Sequence, residues 1–217
     1  MLPSGISYVG EALISPRQVA RILIAERRGL IFGFFVVLIF SIVEGMVATL
    51  TFISRLGLYI PIPTPIVGIV LGRITLLFGT VAYVVICMCY WVLGGLIIHA
   101  FCKLFGGRGS FEHTLTAFSF LWIPTFIEGL LSLLILVLDY VSGIGLFLLL
   151  FFASLVWGLI MSIQALSEVH GFGAGKALLS MIIPVIIIIV VLLVSSIIIG
   201  IRISCTSVLA LLTNVRW

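Results

Sequence analysis

The sequence predicts an all-α polytopic membrane helix bundle: five transmembrane helices preceded by a short amphipathic interfacial helix. Three observations predict it. Of 217 residues, 63% are apolar, and the mean hydropathy is +1.47. Only 8% are Asp, Glu, Lys or Arg, against roughly 25% in a soluble domain. The apolar residues fall in five long runs, and a spanning helix takes about 20 of them. So few charges cannot cover a water-facing surface. That excludes a soluble enzyme, a disordered chain and a secreted disulfide scaffold. The net charge of +4 comes from 11 basic and 7 acidic residues. No basic patch with interleaved aromatics appears, so no nucleic-acid partner is expected, and the excess of Arg and Lys reads as an orientation signal.

Residues 1–29 form a cytoplasmic lead. They do not read as a signal peptide, because no short basic start, apolar core and small-residue cleavage site follow one another. Ser15-Pro16 reads as an N-cap with Pro at the first helical position. In the stretch from Arg17 to Arg28, Val19, Ile22 and Leu23 mark one face and Arg17, Arg21 and Arg28 lie mostly opposite. This is the pattern of a helix on the membrane surface. Residues 30–201 form a single five-helix membrane domain, with spans at about 30–53, 74–102, 113–138, 144–167 and 177–201. The second is long enough to tilt or project. Between the first two, Pro61, Pro63 and Pro65 forbid a helix, and 54–73 reads as an exposed or protein-covered loop. A re-entrant hairpin over Ile66–Leu71 is the alternative there. Residues 202–217 form a short outer tail.

Counting basic residues by side sets the orientation. With the N-terminus in the cytoplasm, the inner segments hold Arg17, Arg21, Arg27, Arg28, Lys103, Arg108 and Lys176, and the outer ones Arg55, Arg73, Arg202 and Arg216. Seven against four favours an N-terminus inside and a C-terminus outside, and the expected location is the plasma membrane, as a multi-pass protein. Gln18, Gln164 and Asn214 are the only side-chain amides, a depletion that thermophile proteins share. Cys87, Cys89, Cys102 and Cys205 read as small apolar packing residues.

Two acids sit inside apolar spans, where a charge is costly and faces the bundle interior. Glu44 lies 14 residues into the first span and Glu128 lies 15 into the third. At 1.5 Å per residue both are roughly 21–23 Å from the inner end. They can meet at one level. There they would either share a proton or a cation or lock helices together as hydrogen-bonded groups. His99, His113 and His170 all fall near the inner side but share no metal-binding helical spacing, so no metal and no cofactor is expected. Two inner loops are glycine-rich: one carries Gly106, Gly107, Gly109 and Ser110, the other His170, Gly171 and Lys176. Neither matches a P-loop, because Ala177 follows Lys176 where Ser or Thr would hold magnesium. They read as tight turns that use positive φ, with Ser110 capping the next helix and Glu112 in its first turn. Pro124 and Pro184 are expected to kink the third and fifth spans. Ser154, Gly158 and Ser162, and Thr125 with Gly129, read as seams for close helix approach. No catalytic motif occurs.

The stretch from His99 through Lys103, Gly106, Gly107, Arg108, Gly109 and Ser110 to Phe111, then Thr114-Leu115 and Pro124, resembles the Yip-domain family. So does a second block from Trp157 to Ala177, with Leu166, Val169-His170-Gly171 and Lys176-Ala177 before Pro184. The resemblance covers most of residues 15–201. It implies a five-span protein with the topology given by the charge count. The family is named for interaction with Ypt/Rab GTPases, and eukaryotic members are implicated in vesicle trafficking and membrane shaping. This chain lacks their long N-terminal region and looks more like short prokaryotic members. The resemblance implies a non-enzymatic membrane scaffold or adaptor. Its expected partners are the lipid bilayer and another membrane or cytoplasmic protein, with homo-oligomerisation left open. The alternative is a small proton- or cation-coupled transporter or channel using Glu44 and Glu128.

Overall fold

The computed structural model describes residues 5–56, 65–133 and 140–214. In chain order the helices are α1 (Gly5–Ile14), α2 (Pro16–Ala25), α3 (Gly29–Leu56), α4 (Pro65–Leu104), α5 (Phe111–Ser119), α6 (Trp122–Ser132), α7 (Tyr140–His170) and α8 (Ala174–Asn214). There is no strand among the described residues. Among the described residues five stretches are long and apolar enough to cross a membrane: Gly29–Ser54, Ile69–Leu104, Phe111–Leu131, Gly143–His170 and Ala174–Ile197. In lipid every backbone N–H and C=O needs an internal partner, and a helix supplies them within one segment.

α2 begins where the sequence places it, with Pro16 at its first position, but the Ser15 hydroxyl makes no cap hydrogen bond. The amphipathic helix is joined by a second short helix, α1, packed beside it. The apolar face of α2 is not turned outward. Val19, Ala20 and Leu23 are at most 1% exposed and pack on the bundle, mainly against α7. Arg17, Arg21 and Arg28 point away, and the Arg21 guanidinium reaches Glu168 at 2.7 Å. Because α2 lies outside the spans, burying Leu23 draws on the hydrophobic effect, which is absent between helices in lipid. Leu23→Ala should therefore cost roughly 2–4 kcal/mol, whereas Arg21→Gln, which removes an exposed ion pair, should cost less than about 1 kcal/mol. Thermal unfolding of the two variants in detergent checks the ranking.

The proline-rich segment is shorter than expected. α3 runs to Leu56 and α4 starts at Pro65, a proline tolerated at the first helical position because its missing N–H would be unpaired there anyway. Ile66–Leu71 are helical, which replaces the re-entrant hairpin, and Pro61 and Pro63 lie outside the described residues. Arg73 suggested a span boundary, yet one exposed cation does not stop a helix whose backbone bonds are internal. The second span thus holds 36 residues, about 54 Å at 1.5 Å per residue, well over the ~30 Å hydrocarbon core. α8 likewise continues through residues 202–214.

The third run is two helices rather than one kinked helix. α5 ends at Ser119 and α6 starts at Trp122. Pro124 has no N–H to give the carbonyl of Phe120. That carbonyl accepts instead from Ile123 at 3.3 Å, and tighter i→i−3 bonds join Phe120 to Ala117 and Leu121 to Phe118. Pro184, by contrast, lies inside a continuous α8. The Asp139 end of this run lies outside the described residues.

α3 packs against α4, α5 and α6, and α7 packs against α2, α5, α6 and α8. The expected seam on α7 faces the α5–α6 break: a methyl group at Gly158 would lie 2.8 Å from the carbonyl oxygen of Leu121. Trp91 and Trp122 are buried in the packing, while Trp157 is exposed. The outward faces of α4, α7 and α8 are continuously apolar and exposed, as helices in contact with lipid require.

Candidate functional site

Three helices end at one face of the bundle, and each closes with the same pair of hydrogen bonds. At the end of α4, Gly106 N–H donates to the Lys103 carbonyl and Gly107 N–H to that of Cys102. At the end of α7, Gly171 N–H donates to Glu168 and Phe172 N–H to Ser167. At the end of α2, Arg27 N–H donates to Ile24 and Arg28 N–H to Leu23. This six-to-one, five-to-two pattern is the Schellman cap, which needs a left-handed residue after the helix. Gly106 and Gly171 supply it with φ of 84° and 65°, and Arg27 does so at 55°. The glycines expected at tight turns thus have a defined task, and Ser110 caps α5 by accepting from the His113 N–H at 3.3 Å.

The two glycine loops then close on each other. Arg108 N–H donates to the His170 carbonyl at 3.1 Å, and Lys176 Nζ donates to the Phe105 carbonyl at 3.3 Å. Gly107 and Gly109 serve close approach. A methyl group at Gly107 would lie 2.6 Å from His170 Nδ1 and 2.8 Å from the Cys102 carbonyl oxygen, and one at Gly109 would lie 2.9 Å from the Val169 carbonyl oxygen. Phe172 stacks on the His170 ring at 5.3 Å.

Inside this clasp the structure brings together three side chains that no sequence spacing connects. Thr114 Oγ1 lies 2.7 Å from His99 Nδ1 and 2.9 Å from His170 Nε2, and the imidazole centroids are 5.8 Å apart. Thr114 is fully buried and His170 is 1% exposed. The hydroxyl also donates to the Ser110 carbonyl at 3.0 Å. A hydroxyl has one proton, so with that proton on Ser110 both imidazoles must donate to Thr114. His170 Nδ1 is buried with no hydrogen-bond partner, beneath Gly107. His113 gives its backbone N–H to the Ser110 cap. Among the described residues no group of three or more His, Cys, Asp or Glu side chains gathers as a metal site would.

The second cluster lies deeper, among the spans. Glu44 on α3 accepts from the Tyr83 hydroxyl of α4 at 2.9 Å, and Glu128 on α6 accepts from the Ser154 hydroxyl of α7. α6 crosses α3 here, since a methyl group at Gly129 would lie 3.2 Å from Glu44 Cγ. The two carboxyl groups are near enough to interact electrostatically. Each accepts a hydroxyl from a helix other than its own, so the pair ties four helices together. Glu44 Oε1 is buried with no hydrogen-bond partner.

The sequence reading missed the His99–Thr114–His170 bridge and Tyr83. Thr114 belongs to the first family-like block, but nothing in the pattern singled out its hydroxyl. The family model described as the Yip1 domain matches residues 10–195. No curated protein and no solved structure matches the chain.

Proposed function

The chain belongs to the Yip1-domain family, and from that premise we propose that it is a non-enzymatic integral membrane scaffold or adaptor that presents one fixed face to a protein or lipid partner. The observation that carries this reading is the clasp: two loops about 60 residues apart in sequence are closed by the Arg108–His170 bond and the Thr114 bridge. Buried hydrogen-bonded networks fix one geometry, because opening them strands polar groups away from water. A face held this way suits presentation to a partner. The charge count favours the cytoplasmic side for it. The test is site-specific photo-crosslinking in native membranes, with probes at Lys103 and Arg108 on this face and at Arg73 toward the opposite end. Discrete adducts from the first pair and none from Arg73 support the scaffold. Equal labelling at all three positions counts against it.

A second reading rests on Glu44 Oε1. A buried carboxylate oxygen without a donor, beside a second carboxyl group, is where a proton or small cation would sit. It favours a small proton- or cation-coupled transporter. Against it stand the hydroxyl donors Tyr83 and Ser154, which already give each acid a structural partner.

A further inference from the structure

We propose that the clasped end of the bundle binds the headgroups of anionic phospholipids, through Arg17, Lys103, Arg108 and their neighbours, with Ile14 set into the interfacial layer. The charge bookkeeping at this end is asymmetric. Arg21 pairs with Glu168 and Arg28 with Glu26, and these are the ion pairs among the described residues. Arg17, Arg27, Lys103, Arg108 and Lys176 are left exposed against Glu11 and Glu112. They share one end because Lys176 bonds the Phe105 carbonyl, Arg108 bonds His170, and α2 is docked on α7. The burial of Val19, Ala20 and Leu23 fixes α2, so the direction of its arginines is set rather than free.

Ile14 is the independent observation. It is 86% exposed, more than any other large apolar side chain among the described residues, and it lies outside the five spans, so contact with acyl chains along a span does not account for it. It ends α1, three residues before Arg17, at the corner where the chain turns into α2. An apolar tip beside cations is the composition of a surface that enters the interface of an anionic leaflet. A free phosphate would need the cations but not the apolar tip, and a protein groove would need no negative charge. The complementarity therefore points to lipid.

The inference rests on membrane residence and not on the scaffold reading, so the loss of one leaves the other intact. The full-length chain in detergent is titrated with phosphatidylglycerol, with phosphatidylcholine as the control lipid, and bound lipid is counted by native mass spectrometry. The triple variant Arg17→Gln/Lys103→Gln/Arg108→Gln should bind phosphatidylglycerol several-fold more weakly, with its thermal midpoint in detergent unchanged. Arg73→Gln should bind as the parent does, because Arg73 lies about 45 Å from Lys103 along α4 at 1.5 Å per residue. Ile14→Ser should weaken retention of phosphatidylglycerol without changing the midpoint. Equal binding of the two lipids, unchanged binding by the triple variant, or an equal loss in Arg73→Gln overturns the proposal.

Discussion

Gly107→Ala should destabilise the protein by about 3 kcal/mol, the upper part of the range for overpacking a closed site. The added methyl group meets His170 Nδ1 at 2.6 Å, the Cys102 carbonyl oxygen at 2.8 Å and the Phe172 ring at 2.8 Å. Two of those neighbours have no freedom to retreat. The Cys102 carbonyl is held by the helix cap, and His170 is pinned through Nε2 and its own carbonyl. Two controls separate crowding from backbone strain. At Gly106 nothing lies within 4 Å of an added methyl group, but φ is +84°, so Ala there pays only the left-handed penalty of about 1–2 kcal/mol. At Gly175 there is open space and no positive φ, so Ala should be neutral. Denaturant unfolding in a mild detergent should rank the variants in that order. If Gly107→Ala matches Gly175→Ala, the loops do not close on each other as described.

Thr114→Val should cost roughly 2–4 kcal/mol with almost no change in volume. The substitution removes the hydroxyl shared by His99 and His170 and leaves His99 Nδ1 and the buried His170 Nε2 without that partner. Each stranded polar group costs about 1–3 kcal/mol. Thr114→Ser keeps the hydroxyl and should recover most of the loss. In the His99→Phe background the Thr114→Val penalty should shrink, since one of its two clients is already gone. Hydrogen exchange gives a second readout: Gly106–Ser110 and Gly171–Lys176 should lose protection together in Thr114→Val, because one bridge serves both loops.

What could be read from the sequence follows from which energies are large. Burying apolar runs in lipid and keeping charges out dominate a chain like this, so the five spans, the membrane class and the positions of Glu44 and Glu128 could be read directly. Local backbone chemistry was also legible: Gly106 and Gly171 at positive φ and Ser110 at a helix start follow from steric and capping rules. Pro124 signalled trouble in the third run, although it produced a break at Phe120–Leu121 rather than a bend. Helix rotation was not legible. Lipid-facing and bundle-facing positions are both apolar, so the pattern along α4 or α8 cannot say which side meets a neighbour. That is why Tyr83 went unnoticed, although its hydroxyl is the partner of Glu44. The bridge at Thr114 joins three elements, and no local rule relates residues 15 and 56 positions apart. The amphipathic stripe of α2 was legible, but not that the bundle itself covers it, since lipid and a protein groove reward the same stripe.

In the proposed function the buried polar groups hold a fixed scaffold rather than carry a solute. Flux across proteoliposomes, read with internal pH and sodium dyes in the parent, Glu44→Gln and Glu128→Gln, tests it most directly. All three proteins should leak no faster than empty liposomes, while Glu44→Gln and Glu128→Gln should unfold at lower temperature than the parent. Proton or cation flux through the parent that Glu44→Gln abolishes without loss of thermal stability would contradict it.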